Sequence, residues 1–160
     1  MKILITLIYI TLIGQVCFFA GVILPRKIFN ENAFPFRLFK WEKDGSFFRF
    51  IRVKKWKSKV PDMSKYTHII YPKRVPTKVT SKEVDRLIKE SCVAEATHYV
   101  LSFFGLGIYW IWKDKVGKWL TVLYILGNIP FVVIQRYLRP KYLRVKEKLI
   151  IREERQYAEV

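Results

Sequence analysis

Apolar residues fall into three blocks along the chain, separated by cationic stretches. The first block, Ile3 to Leu24, reads ILITLIYITLIGQVCFFAGVIL, with Gln15 its one strongly polar position. Its 22 residues match the roughly 20 that a helix needs to cross a bilayer core. Lys2 before the block also fits a signal peptide, but the block is longer than an h-region of about 7–15 residues. Pro25-Arg26-Lys27 is a poor cleavage context, so we expect a retained anchor. The second block, Cys92 to Trp112, reads CVAEATHYVLSFFGLGIYWIW and carries Glu95 and His98 in its first two turns. The third, Trp119 to Ile134, reads WLTVLYILGNIPFVVI, with Asn128 polar and Pro130 expected to kink it. Only KDKVGK, Lys113 to Lys118, separates the last two blocks, which predicts a tight helical hairpin. The expectation is one membrane domain, residues 1–160: an all-α integral membrane protein with about three transmembrane helices, at about 3–24, 92–112 and 119–136. A cytoplasmic basic segment (25–91), bearing an amphipathic interfacial helix, and a cytoplasmic tail (137–160) complete it.

Residues 25–91 are too apolar for a linker. Phe34, Phe36, Phe39, Trp41, Phe47, Phe48, Phe50 and Trp56 alternate there with arginines and lysines. Asp44-Gly45 marks a turn. After it, Ser46 to Lys59 has Phe47, Phe50, Val53 or Lys54, and Lys57 at helical spacing, which predicts the interfacial helix with its rings at headgroup level. Pro61, Pro72 and Pro76 punctuate an irregular stretch. Thr80 and Glu83 then form a capping-box pattern. The helix they start runs through Val84, Leu87, Ile88 and Ser91 into the second span. Lys146 to Val160 reads as a frayed surface helix.

Charge sets the topology. The chain carries 30 Lys+Arg against 13 Asp+Glu, a formal net charge of +17. Of the cations, 18 lie in residues 25–91 and 8 in 136–160. With three crossings both segments share one side, and the positive-inside rule makes that side cytoplasmic, with the N-terminus outside. We therefore expect a multi-pass protein of a bacterial cell membrane, in contact with anionic lipid headgroups. Nucleic acid is not expected as a partner, because the basic residues flank spans; oligomeric state is left open. Cys17 and Cys92 show no CxxC or metal-type spacing, so buried thiols are expected and no metal site.

Ionisable residues within a span need a reason, since each costs about 2.5–3.5 kcal/mol on insertion scales. Glu95 and His98 are spaced i, i+3 and share a helix face. A carboxylate beside an imidazole suits a general base; a helix-to-helix hydrogen bond is the structural alternative. The third span supplies Asn128, Gln135 and Arg136, followed by Arg139. Counting outward from a turn at about 115–116 sets Glu95 near Arg136 and His98 near Ile134-Gln135. No P-loop, GxSxG, HExxH or Asp-rich cluster is present, and Asp44, Asp62, Asp85 and Asp114 are scattered. Acyl transfer fits this set, with His98 as base, Glu95 orienting it, and Arg136, Gln135 or Asn128 stabilising the oxyanion.

Three stretches resemble the glycosyl-4,4'-diaponeurosporenoate acyltransferase family: FKWEKDGSFFRFIRVKKWKSKVPD (Phe39–Asp62), KESCVAEATHYV (Lys89–Val100) and NIPFVVIQRYLRP (Asn128–Pro140). Their order and spacing match from about residue 24 to 145. Val93, Tyr99 and Leu138 stand where typical members have Arg, Trp and often Asn, departures that spare Glu95, His98, Gln135 and Arg136. The resemblance implies transfer of a fatty acyl group to a sugar hydroxyl of a membrane glycolipid, such as a glycosylated carotenoid. The donor expected is an acyl thioester, acyl-CoA or acyl-carrier protein, as cosubstrate, with no bound cofactor. Lys55, Lys57 and Arg139 are expected at the carrier's phosphates, with Trp41 and Trp56 anchoring the cytoplasmic layer. The rival expectation is a non-enzymatic lipid-binding or scaffold protein.

Overall fold

The computed structural model describes residues 1–61 and 79–158; Asp62, Pro72 and Pro76 lie outside them, as do the last two residues of the tail. Every regular element among the described residues is helical: α1 (Lys2–Ile23), α2 (Lys40–Lys43), α3 (Ser46–Phe50), α4 (Val53–Trp56), α5 (Ser81–Gly105), α6 (Gly107–Trp112) and α7 (Lys115–Ala158), with short 3-10 turns at Arg26–Ile28 and Lys57–Lys59. The chain divides into two compact units, Met1–Leu24 with Ala94–Val133, and Pro25–Val93 with Ile134–Val160. The division follows charge: the first unit holds 4 of the 30 cationic residues and the second holds 26.

In the first unit, α1 is apolar on all sides. Ile3, Leu7, Leu12, Val16 and Phe19 are all more than half exposed. Two helices are long and apolar enough to cross a membrane, α1 and α7, with only 11% and 17% of their most apolar windows buried. A core helix of a soluble protein would bury most of that surface. Polar contacts tie α1 to α6 and the end of α5. The Trp112 indole N–H donates to Thr6 Oγ1 (2.8 Å), Lys2 Nζ donates to the Trp112 carbonyl (3.2 Å), and Tyr9 Oη donates to the Phe104 carbonyl (2.7 Å). The second predicted span is therefore not one helix. It breaks at Leu106, where Tyr124 packs against Gly105 and Tyr9 against Gly107 so closely that a Cβ would fall 2.5 and 2.2 Å from ring carbon and hydroxyl oxygen. Aromatic hydroxyls and rings occupy the space a side chain would need. The hairpin turn is also tighter than expected, comprising Lys113 (φ 53°) and Asp114.

α7 runs through Pro130 and Pro140 for 44 residues, about 66 Å at 1.5 Å per residue. The third span and the tail helix expected from Lys146 onward are one element.

In the second unit, α5 begins with the predicted capping box. The Thr80 N–H and hydroxyl donate to Glu83 Oε2, and the Glu83 N–H returns to Thr80 Oγ1. The predicted stripe on α5 is the core: Val84, Leu87 and Ile88 pack with Tyr142, flanked by Leu138, Leu143, Val145 and Leu149 of α7. Each such aliphatic side chain stabilises by about 1.5–3 kcal/mol when fully buried. Ion pairs edge this seam, with Lys146 on Asp85 (2.5 Å) and Arg26 on both oxygens of Glu90 (2.9 and 3.0 Å). Asp44-Gly45 is the expected turn, with Gly45 at φ 76°, where any other residue would be strained.

The interfacial helix expected over Ser46–Lys59 is interrupted. Arg52 takes φ 51°, ψ 41°, so α3 and α4 are separate turns. The faces differ accordingly, since Phe48 (4% exposed) and Val53 are buried while Phe50 is 84% exposed. Packing of Phe48 on Tyr137 (5.5 Å between centroids) and the Trp56 N–H to Ile51 carbonyl bond (2.9 Å) override the simple periodicity.

Beneath these turns lies a buried ion pair. Arg136 Nε and Nη2 donate to Glu42 Oε1 and Oε2, both at 2.6 Å, while Nη1 and Nη2 also donate to the Pro35 and Arg37 carbonyls. Glu42 Oε2 accepts the Phe39 N–H as well. Breaking either partner leaves an uncompensated buried charge. Glu42→Gln or Arg136→Gln alone should therefore lower unfolding stability by about 3–5 kcal/mol in denaturant titrations in detergent. The double variant should recover part of that loss; strictly additive losses would mean the two side chains do not act as a pair.

Acid lability should follow from the seam of α5 and α7. Burial by itself would raise the Asp85 carboxyl, but hydrogen bonds and charge from Lys146 and Lys89 outweigh it and hold it below its ordinary value. The Ser81 hydroxyl and N–H hold Glu153 low in the same sense. A depressed folded-state pKa gives stability present above the unfolded value and lost as pH falls. The melting temperature should thus drop below about pH 4, and Asp85→Asn with Glu153→Gln should lower it at pH 7 and flatten the acid limb. An unchanged acid limb in that variant would place the lability elsewhere.

Candidate functional site

His98 lies in α5 within the first unit, and its ring stacks on Phe131 (centroids 4.5 Å apart, 17° between planes). Its Nδ1 is 2.9 Å from Asn128 Oδ1. The protonation follows from the next bond along. Asn128 Nδ2 donates to the Tyr124 carbonyl one turn back in α7 (2.9 Å), so the atom facing His98 is the amide oxygen, an acceptor. Nδ1 must then carry the hydrogen, and in the neutral ring the basic lone pair sits on Nε2. The helix turn is fixed as well, by Ser102 Oγ donating to the His98 carbonyl.

Two sequence-predicted residues, His98 and Asn128, are thus brought together. The pairing is one turn from the expected one, since His98 meets Asn128 and Phe131, not Ile134-Gln135. A turn centred at Lys113–Asp114 instead of 115–116 accounts for the shift, because every partner number falls by about four. Glu95 is fully buried in the same unit and accepts the Tyr99 hydroxyl at 2.7 Å. Asn128 is hydrogen-bonded to the imidazole; the sequence reading gives the orienting role to Glu95.

Gln135, Arg136 and Arg139 belong to the second unit and are all buried. Arg136 is the clamp on Glu42 described above. Arg139 was expected at a substrate phosphate. Its guanidinium is instead fully buried, with Nε donating to Ser91 Oγ (3.0 Å) and Nη1 to the Phe36 carbonyl (2.7 Å). Trp41 stacks on Phe39 (5.4 Å, 4°) and meets Phe47 edge-on. Lys57 lies over the Tyr137 ring, 5.2 Å from its centroid.

Lys55 opens onto a cavity of about 440 Å³ in the second unit. Its walls are α2 to α4 and the 137–144 stretch of α7, and they include Glu42, Asp44, Arg49, Arg52, Lys54, Lys55, Tyr137, Lys141 and Arg144. The Ser46 N–H holds the Asp44 carboxyl below its ordinary value, with the Arg49 charge adding to the effect. Sequence reasoning missed Glu42 and most of these cations. Glu42 gave no distinctive signal, being one of three acids, with Asp44 and Asp62, in the Phe39–Asp62 stretch. The cations are too evenly spread along the sequence for any subset to stand out.

Comparison with known proteins extends these observations. The family model for glycosyl-4,4'-diaponeurosporenoate acyltransferase matches residues 25–148. Proteins of that name from Staphylococcus aureus strains MRSA252, bovine RF122 / ET3-1 and N315 are 30%, 29% and 28% identical over 141 residues, covering 84% of this chain and 82% of each relative. No solved structure matches. The matched span takes in Glu42, Glu95, His98, Asn128 and Arg136 along with the whole cavity wall, and the chain belongs to the glycosyl-4,4'-diaponeurosporenoate acyltransferase family.

Proposed function

We propose that this chain is a membrane O-acyltransferase that moves a fatty acyl group from an acyl thioester to a sugar hydroxyl of a glycolipid, a glycosylated carotenoid acid or a lipid of similar design. Family membership supports the acyltransferase activity and the class of acceptor. The observation that carries the mechanism is the His98–Asn128 hydrogen bond, because it leaves Nε2 as the proton acceptor. In the reaction, Nε2 of His98 takes the proton of the attacking hydroxyl as its oxygen bonds to the thioester carbonyl carbon. The tetrahedral intermediate then collapses, the C–S bond breaks, and the imidazolium returns the proton to the departing thiolate. Asn128 balances charge as the ring becomes cationic, since its amide oxygen faces the protonated Nδ1. The Glu95–Tyr99 pair holds the same stretch of α5. Gln135 and Arg136 stand beyond it in α7, Arg136 acting through its hold on the 35–42 segment.

The reading also takes the membrane arrangement as three crossings, with the first unit in lipid and the basic segments cytoplasmic. The exposed apolar surface of α1 and the separation of cations between the units support it.

The test is purified protein with labelled acyl thioester and glycolipid. His98→Ala should lower the transfer rate by about 10²–10⁴-fold. Asn128→Ala should lower it less, and it should change the imidazole ¹⁵N shifts that report an Nδ1–H tautomer. Wild-type rates in His98→Ala would remove the base assignment. Failure of the unsubstituted protein to consume any thioester, with His98→Ala lowering only the melting temperature, would favour a lipid-binding scaffold.

A further inference from the structure

The cavity of the second unit concentrates charge in a way that the acyl-transfer reading does not yet use. Six cations, Arg49, Arg52, Lys54, Lys55, Lys141 and Arg144, border one volume of about 440 Å³. Two carboxylates share the wall, but Glu42 is committed to Arg136 and Asp44 to the Ser46 N–H beside Arg49. Lys141 reaches the Tyr137 hydroxyl (2.6 Å), a neutral partner. Among the described residues, no carboxylate within ion-pair distance neutralises Arg52, Lys54, Lys55 or Arg144. Cations gathered around one space repel each other unless an anion fills it.

Backbone geometry produces the gathering. On an uninterrupted helix, residues 49, 52, 54 and 55 would fan over about 220° at 3.6 residues per turn. The left-handed conformation of Arg52 ends α3 and restarts the chain as α4, and all four side chains then border the same cavity. A non-glycine residue held there is strained, and such strain clusters at ligand sites. Three guanidiniums supply planar forks matched to phosphate oxygens. The volume lies within the range of about 300–1,000 Å³ of small-molecule sites and is large for a single phosphate.

We propose that this cavity binds the 3′-phosphoadenosine diphosphate head of a coenzyme A thioester, making acyl-CoA the donor; the assignment rests on the acyl-transfer reading above. Charge selects this head over its rivals. Its three phosphates carry about four negative charges at neutral pH, close to the excess that six cations and Asp44 leave once Glu42 is neutralised by Arg136. The phosphodiester of a lipid headgroup, or of the pantetheine arm on a carrier protein, carries one charge and would leave the rest unmatched.

Calorimetry on the full chain in zwitterionic nanodiscs tests this with CoA, dephospho-CoA and phosphatidylglycerol vesicles as probes. CoA should bind, and dephospho-CoA, lacking the 3′-phosphate, at least tenfold more weakly. Lys54→Ala with Arg144→Ala should weaken CoA tenfold or more, and Arg144→Gln alone severalfold. Lys40→Ala with Lys148→Ala, an equal charge change away from the cavity, should stay within twofold. Equal affinity for CoA and dephospho-CoA in the unsubstituted protein would overturn the proposal without any variant. So would complete loss of CoA binding to saturating phosphatidylglycerol, which would mark a headgroup site.

Transfer assays separate this proposal from the reading beneath it. If acyl transfer occurs but the KM for acyl-CoA is unchanged in the cavity variants, the nucleotide site falls and the acyltransferase reading stands. If no thioester is consumed while CoA binding follows the expected pattern, the transferase reading falls and the cavity remains a nucleotide-phosphate site.

Discussion

A guanidinium and a carboxylate cannot leave water cheaply, and the Arg136–Glu42 pair sets the terms for everything built above it. Desolvation costs several kcal/mol per ion even after relaxation, so such a pair persists only where the remaining donors and acceptors are also met. Here the backbone meets them. The carbonyls of Pro35 and Arg37 take the outer N–H groups of Arg136, and the Phe39 N–H takes the second lone pair of Glu42 Oε2. One helix turn further on, Arg139 repeats the device with the Phe36 carbonyl and Ser91. An irregular, proline-containing segment is thereby fixed against α7 without a helix or strand of its own. Asp44 and Gly45 follow at once, and with them the start of α3 and one wall of the basic cavity. The cations of that wall can be held close together because the chain beneath them is anchored by charge already neutralised.

In the apolar unit the same economy of partners fixes a tautomer. Asn128 sits in mid-helix and returns its N–H to the carbonyl four residues back, a local bond that Asn forms readily. That bond decides which amide atom faces His98, and hence which ring nitrogen is basic. The amide oxygen fixes the ring hydrogen on Nδ1 without supplying a full counter-charge.

Much of this was legible in the sequence, for reasons that differ by element. The length and uniform apolarity of α1, the Thr80–Glu83 cap and the Asp44-Gly45 turn depend on neighbours a few residues apart, and local patterns report them directly. The stripe at Val84, Leu87 and Ile88 is likewise a periodic signal, and it is the core of the second unit. His98 and Asn128 stood out because polar groups are expensive in an apolar run. Glu42 did not stand out, because its partner lies 94 positions away and no local feature marks a buried acid within a basic segment. The reversal at Arg52 was hidden too: Ser46 to Lys59 has acceptable helix formers throughout, and only the packing of Phe48, Val53 and Trp56 breaks it. The hairpin pairing failed through a small cause. Moving the turn by about two residues moves the partner by about four, a full turn of helix, which replaced Gln135 by Asn128 and Phe131.

The division of charge between the units bears on what such a small chain can be asked to do. An acyl thioester of the proposed kind is two solvents' worth of molecule, a hydrocarbon chain joined to a polyanionic head. Placing most cations in one unit and most of the exposed apolar surface in the other would answer both demands with the same helices, since α5 and α7 contribute residues to both units. A more even spread would weaken both functions. Scattered charges in the apolar unit would raise the cost of residing in lipid by a few kcal/mol each, and a diluted basic cavity would lose the convergence that favours several phosphates over one. On the proposed reading, the basic composition answers to the donor's phosphates more than to a membrane alone, because attraction to a bilayer surface needs positive charge nearby but does not need six cations bordering a single cavity.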